Sequence, residues 1–228
     1  DAAVPGRLEW DRDGADWPNR SASRFVEAAG MRWHVQVAGE GPVILLLHGT
    51  GAATHSWRDL LPLLARRYTV VAPDLPGHGF TDPAPRGNLS LPAMARRVTE
   101  LSNEIGRMPR FVLAHSAGAA IAVRMVLDRQ VRPTGILAVN GALMPFGGAV
   151  APFFAPVARL LAAHPMVPRV FAWQARNGPA VDRLLEKTGS RIDPAGAALY
   201  RRLVQASHHV AAPLGTLADW GPKSLAED

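Results

Sequence analysis

A serine flanked at two positions on either side by small residues stands at 116, within Arg110-Phe111-Val112-Leu113-Ala114-His115-Ser116-Ala117-Gly118-Ala119-Ala120. The residues before it read as a short buried strand. A helical pattern follows it through Ile121, Val123, Met125, Val126 and Leu127. Strand, sharp turn and helix with serine at the apex is an arrangement that presents a hydroxyl for nucleophilic attack. So tight a turn brings residues 114 and 118 together, and both must be small. Gly118 fits, and Ala114 is a conservative departure from the usual glycine. The helix that starts behind Ser116 offers free N–H groups to developing negative charge.

Upstream, Gly41-Pro42-Val43-Ile44-Leu45-Leu46-Leu47-His48-Gly49-Thr50-Gly51 is a second apolar strand, ending in a His-Gly loop. Such a loop supplies one backbone N–H to an oxyanion hole, and the residue after the serine supplies the other. The candidate site is therefore Ser116 as nucleophile, with the backbone N–H groups of Thr50 and Ala117 as oxyanion donors. The two motifs stand about two βα units apart. On these residues the chain resembles the α/β-hydrolase family. The resemblance implies an α/β-hydrolase fold: a mostly parallel sheet with helices on both faces, and a helical cap over the site.

The elements that must position these groups are legible in order. Ser23–Glu27 and Met31–Val37 read as a strand hairpin turning at Ala29-Gly30. Val43–Leu47 is a buried strand, and Ser56-Trp57-Arg58-Asp59 resembles a capping box opening a helix with Leu60, Leu61, Leu63 and Leu64. Pro62 in its early turns makes that start irregular. Tyr68–Ala72 is a strand ending in Asp74-Leu75-Pro76-Gly77-His78-Gly79, where His78 is read as bracing the turn. Ser90 caps a helix through Leu91, Met94, Val98, Leu101 and Ile105, and Gly135–Val139 is the strand after the serine helix. Strands alternating with helices give a parallel sheet covered on both faces.

Before this core, residues 1–22 form a polar leader with Trp10 and Trp17, read as a tail pinned by its indoles. The core spans 23–143, and 144–228 reads as the cap. Met144–Trp173 is apolar but broken by five prolines, which argues against a transmembrane helix. Phe153, Phe154, Met166, Phe171 and Trp173 would line a greasy pocket or pack the cap. Helices are expected over Val181–Leu185, Ala197–Val204 and Leu214–Trp220.

In α/β-hydrolases the catalytic acid and then the histidine follow the serine on later strands. No strand run follows Trp220, so the C-terminal strands and the triad acid and base are expected to be absent from this chain. Asp182 or Asp193 followed by His208 or His209 satisfies the order, but all four sit in the cap, from which His209 could reach a substrate from above.

The formal charge of +6 is carried mainly by scattered arginines, with no run longer than two, which suits a solvated surface rather than a nucleic-acid interface. Hydrophobic residues at 48% and charged ones at 19% describe a globular protein. There is no cysteine, hence no disulfide or thiolate metal site. The first residues are polar and acidic, without a signal pattern, and a cytoplasmic location is expected. No cofactor or metal is expected.

A narrower resemblance covers the whole chain. Leu8-Glu9-Trp10-Asp11-Arg12-Asp13-Gly14, Asp16-Trp17-Pro18-Asn19-Arg20 and Gly49-Thr50-Gly51-Ala52-Ala53-Thr54-His55-Ser56-Trp57-Arg58 are similar to the magnesium-chelatase accessory hydrolases of bacteriochlorophyll biosynthesis. So are Trp33-His34-Val35-Gln36-Val37 and Gly189-Ser190-Arg191. That resemblance implies a role in photosynthetic pigment synthesis near magnesium insertion. One expected function is a serine hydrolase for ester or acyl bonds with a hydrophobic small-molecule substrate. Another is a non-catalytic accessory that binds a tetrapyrrole or docks on magnesium chelatase. A third, nucleotide binding, rests on Gly49–Thr54 as a glycine fingerprint with Asp74 as the ribose acid at about 20 residues. Thr54 in place of the last glycine or alanine speaks against it.

Overall fold

The computed structural model describes residues 6–143, 164, 166–176, 181, 183, 192–220 and 225. Among these, six strands form one sheet: β1 (Ser23–Ala28), β2 (Met31–Ala38), β3 (Val43–Leu47), β4 (Thr69–Pro73), β5 (Phe111–His115) and β6 (Gly135–Val139). Their spatial order is β1-β2-β4-β3-β5-β6. β1 and β2 are the expected hairpin, turning through Ala29 and Gly30 at φ 54° and 73°. Two positive φ values in a row are what a twisted two-residue hairpin turn demands. β2 joins β4 antiparallel, and β4, β3, β5 and β6 run parallel.

The described helices are α1 (Trp10–Asp13), α2 (Leu60–Leu64), α3 (Leu91–Ile105), α4 (Ala117–Leu127), α5 (Met166–Arg176), α6 (Pro194–Val204) and α7 (Ser207–Asp219). Alternate side chains on a strand point to opposite faces, and the central strands use both. Leu45, Leu47, Val112 and Ala114 pack against Met94, Val98, Ile121 and Met125 of α3 and α4. Ile44, Leu46, Val70 and Leu113 pack on the other face against Trp57 and Leu61. Among the described residues β6 pairs with β5 alone, and its Leu137 and Val139 are exposed.

Two expected helix starts differ in detail. Ser56-Trp57-Arg58-Asp59 is no capping box: Thr54–Trp57 is a 3-10 turn, α2 begins at Leu60, and no side chain caps it. Pro62 is its third residue, where a missing N–H costs nothing because that group has no partner within the helix. Ser90 does occupy the position before α3, but its hydroxyl donates to Asn88 Oδ1 (2.7 Å) instead of capping the helix.

The leader is part of the fold. Trp17 is buried and its indole N–H donates to Thr54 Oγ1 (3.0 Å). It shares a third apolar cluster with Ala53, Phe80, Leu199 and Leu203, flanked by Trp10 and Phe25. Arg202 of α6 donates to both carboxylate oxygens of Asp16 (2.6 and 3.0 Å) and to the Asp13 carbonyl (2.7 Å). Leader, core loop and α6 therefore meet in one place.

In the region expected to form the cap, α5, α6 and α7 pack against one another. Phe153, Phe154, Asp182 and the segment Gly189-Ser190-Arg191 lie outside the described residues. Met166, Phe171 and Trp173, expected in a pocket or in cap packing, lie on α5 and are about half exposed or more. Among the described residues no helix is long and apolar enough to cross a membrane.

Candidate active site

Ser116 sits between β5 and α4 at φ 50°, ψ −116°. This is a positive-φ conformation outside the left-handed helical well, and such residues cost on the order of 1–3 kcal/mol. The surroundings hold it there. Its N–H donates to Val139 O at the end of β6, and its carbonyl accepts from the N–H groups of Ala119 and Ala142, each at 3.0 Å. The side chain is partly exposed rather than packed in the interior.

Register brings the two sequence motifs together. Leu47 of β3 pairs with Ala114 of β5, so the loops leaving both strands emerge side by side. A Cβ on Gly49 would lie 3.1 Å from Ser116 Cβ and 2.8 Å from His115 Nδ1. A Cβ on Gly118 would lie 2.3 Å from Leu47 O and 2.8 Å from His48 O. Gly118 is thus required by close backbone approach, and Gly49 by the side chains of His115 and Ser116 packed against it.

The loop after β3 is fixed by a histidine of known tautomer. His48 Nε2 accepts from the Leu75 N–H (2.9 Å), so the ring proton is on Nδ1, which donates to Gly49 O (2.8 Å). The Ala52 N–H donates to the same carbonyl (3.1 Å). In a trans peptide the N–H points opposite to the C=O, so holding Gly49 O fixes the direction of the Thr50 N–H. Among the described residues neither the Thr50 nor the Ala117 N–H makes a hydrogen bond.

The far end of that loop is held by Asp74, which is fully buried. Its Oδ1 accepts from the Thr54 N–H (2.7 Å), and its Oδ2 accepts from the Phe80 N–H (3.0 Å) and faces His34 Nδ1 (2.7 Å). His34 Nε2 lies 2.9 Å from Ser23 Oγ. Burial alone would raise the Asp74 carboxyl, but His34 and the backbone N–H groups together hold it well below the usual carboxylate range. With both oxygens committed, Asp74 is not available to a ribose, and the nucleotide reading fails on that residue.

Four further histidines, His55, His78, His208 and His209, are structural in their contacts. His78 is buried, with Nδ1 3.1 Å from Pro76 O, so it braces its turn as expected. Burial pushes it down to about 3. His55 is also pushed down to about 3 by burial and is packed edge-on to Trp17 and Tyr200, with neither ring nitrogen hydrogen-bonded. His208 faces two carbonyls, Gly6 O (3.0 Å) and Gly79 O (2.9 Å). His209 Nδ1 accepts from the Gly79 N–H (3.0 Å), and its Nε2–H donates to Gly51 O (3.1 Å). Both nitrogens being occupied, His209 does not reach toward a substrate. Asp193 caps α6 by accepting from the Gly196 N–H (2.8 Å) and pairs with Arg58 (2.8 Å). Among the described residues no histidine is hydrogen-bonded to Ser116, and no group of three metal-ligating side chains is placed to hold a metal ion.

His34 and His55 escaped sequence reasoning. β2 is buried on both faces from Trp33 to Gln36, so alternation could not single out His34. Two glycines after Asp74 were the available signal, since a Cβ on Gly79 would strike the Asp74 carboxylate at 2.2 Å.

Residues 44–225 match the family described as the alpha/beta hydrolase family. The chain belongs to the α/β-hydrolase family. A magnesium-chelatase 30 kDa subunit from Rhodobacter capsulatus is 39% identical to this α/β-hydrolase over 208 residues, 90% of this chain and 72% of the relative. A fluoroacetate dehalogenase from Burkholderia sp. is 38% identical over 109 residues, 46% of this chain and 36% of the dehalogenase. The chain thus spans about a third of that second relative. The crystal structure of an alpha/beta hydrolase fold protein from Burkholderia ambifaria superposes with a TM-score of 0.74 at 23% identity, covering 90% of this chain and 74% of the other. At that identity the likeness shows the fold.

Proposed function

We propose that this α/β-hydrolase carries a serine nucleophile for an ester or related acyl bond and acts beside magnesium chelatase in bacteriochlorophyll synthesis. The observation that carries the chemistry is the apex conformation of Ser116 with Gly49 in contact beside it. Ser116 Oγ attacks the carbonyl carbon, and the new oxyanion is received by the N–H groups of Thr50 and Ala117. The C–O bond to the leaving alcohol then breaks, and water releases the acyl group. A serine hydroxyl needs a positioned base; that role falls to a residue outside those described. The pigment role is supported by the likeness to the Rhodobacter capsulatus subunit, and a cytoplasmic location belongs to the same proposal.

The test is fluorophosphonate labelling of the full-length protein. Wild type forms an adduct on Ser116 and Ser116→Ala forms none; an unlabelled wild type rejects the serine reading.

A second reading, a non-catalytic accessory that binds a tetrapyrrole or docks on the chelatase, is favoured by the exposed apolar side chains of Met166, Val170 and Trp173 on α5. Under it, Ser116→Ala cells keep normal pigment levels while Trp173→Glu cells lose them.

A further inference from the structure

The underside of α7 rests directly on the two loops beside the serine. A Cβ on Gly77 would lie 2.9 Å from Ala212 Cβ, and one on Gly51 would lie 3.7 Å from Pro213 Cγ. Glycine at both points lets the helix approach bare backbone. Between these contacts His209, fully buried, ties the two loops together through its Gly79 and Gly51 hydrogen bonds. We infer that His209 is a positioning residue that transmits the seating of the cap to the oxyanion donor Thr50. This rests on the serine-hydrolase reading.

The route can be followed bond by bond. His209 Nε2–H holds the carbonyl end of the Gly51–Ala52 peptide at 3.1 Å. The N–H end of that same peptide donates to Gly49 O at 3.1 Å. Gly49 O is the carbonyl end of the Gly49–Thr50 peptide, whose other end is the Thr50 N–H. Two rigid peptide planes therefore separate the cap histidine from the oxyanion donor. Gly51, at φ 79° and without a side chain, has little else to hold its orientation.

The second arm of His209 reaches the other loop. Gly79 donates to Nδ1 and abuts Asp74, which in turn holds the Thr54 N–H. Both ends of the oxyanion loop are thus referred to one imidazole. The geometry requires a neutral ring with its proton on Nε2, and burial keeps His209 neutral by holding its pKa well below the ordinary value. Lifting α7 releases the Gly51 carbonyl and loosens Thr50, so acylation proceeds efficiently only with the cap seated.

The experiment compares His209→Leu, which removes donor and acceptor, with His209→Gln, which supplies both, in the full-length protein. Two readouts are used: the limiting rate of Ser116 acylation by a fluorophosphonate, and amide hydrogen exchange at Ala52 and Gly79. His209→Leu is expected to slow acylation about 10- to 100-fold, through the limiting rate rather than half-saturation, and to speed exchange at both amides. His209→Gln restores most of the rate. Ala212→Val, which wedges α7 away from Gly77 without touching the imidazole, gives the same two changes and serves if His209→Leu does not fold. Faster exchange at Gly79 alone, with Ala52 exchange and acylation at wild-type values, overturns the proposal. If wild type is not acylated, the serine reading falls separately. Exchange at Ala52 then still decides the coupling: faster in the variants supports it, unchanged overturns it.

Discussion

Ser116 is held in a conformation that a non-glycine residue adopts at a cost, and the cost is separable from its chemistry. Ser116→Gly and Ser116→Ala both remove the hydroxyl, but only glycine relieves the positive φ. Ser116→Gly is therefore expected to be more stable than Ser116→Ala by about 1 kcal/mol in urea unfolding. Equal stabilities would mean the apex is unstrained. The serine was legible in the sequence because a tight turn restricts its neighbours to small residues, which Ala114 and Gly118 display. Asp74 was legible as the end of a strand and as a candidate ribose acid, not as the anchor of the loop after β3. Its pairing with His34 depends on β2 lying antiparallel against β4, with Val35 opposite Pro73, a relation no local pattern encodes.

At the scale of elements, the strand-turn-helix through Ser116 is fitted to β3 by an absent side chain. Gly118→Ala would set a methyl 2.3 Å from Leu47 O, so α4 must shift away from the neighbouring strand. Overpacking against backbone costs about 1–3 kcal/mol or more. The expected result is a lower urea midpoint together with loss of Ser116 labelling, since the same shift moves the Ala117 N–H; a wild-type midpoint would show that the helix has slack. β3, β4 and β5 were readable from their apolar runs because their side chains are buried on both faces. The start of α2 was misread because Thr54–Trp57 is held by tertiary contacts, Trp17 on Thr54 Oγ1 and Asp74 on the Thr54 N–H. Those partners lie far away in the chain, so local capping rules had no information about them.

Over the whole molecule, buried imidazoles set the response to acid. Burial lowers His48 and His209, and takes His55 and His78 down to about 3. The unfolded chain, with ordinary values of about 6.5, binds more protons than the folded one below that pH, so stability falls as pH falls toward 3. Asp74, whose carboxyl is depressed, adds a loss of the same sign below its unfolded value of about 3.9. Urea midpoints measured from pH 7.5 to 4.5 should decline, and His55→Leu, which removes a ring without hydrogen bonds, should decline less steeply. An identical slope in that variant would mean His55 is accessible to protons in the native state. The positive formal charge was readable from composition; these sites were not, because titration depends on enclosure. The meeting of leader and α6 has one more consequence. Asp16 and Arg202 are 186 positions apart, and Trp17 shares its cluster with Leu199 and Leu203. On a ribosome adding about 5–20 residues per second, the first indoles emerge on the order of ten seconds or more before their last neighbours exist. The segment carrying Trp10 and Trp17 thus locks only after α6 has been made, and until then the nascent chain carries two sticky tryptophans that a chaperone can shield.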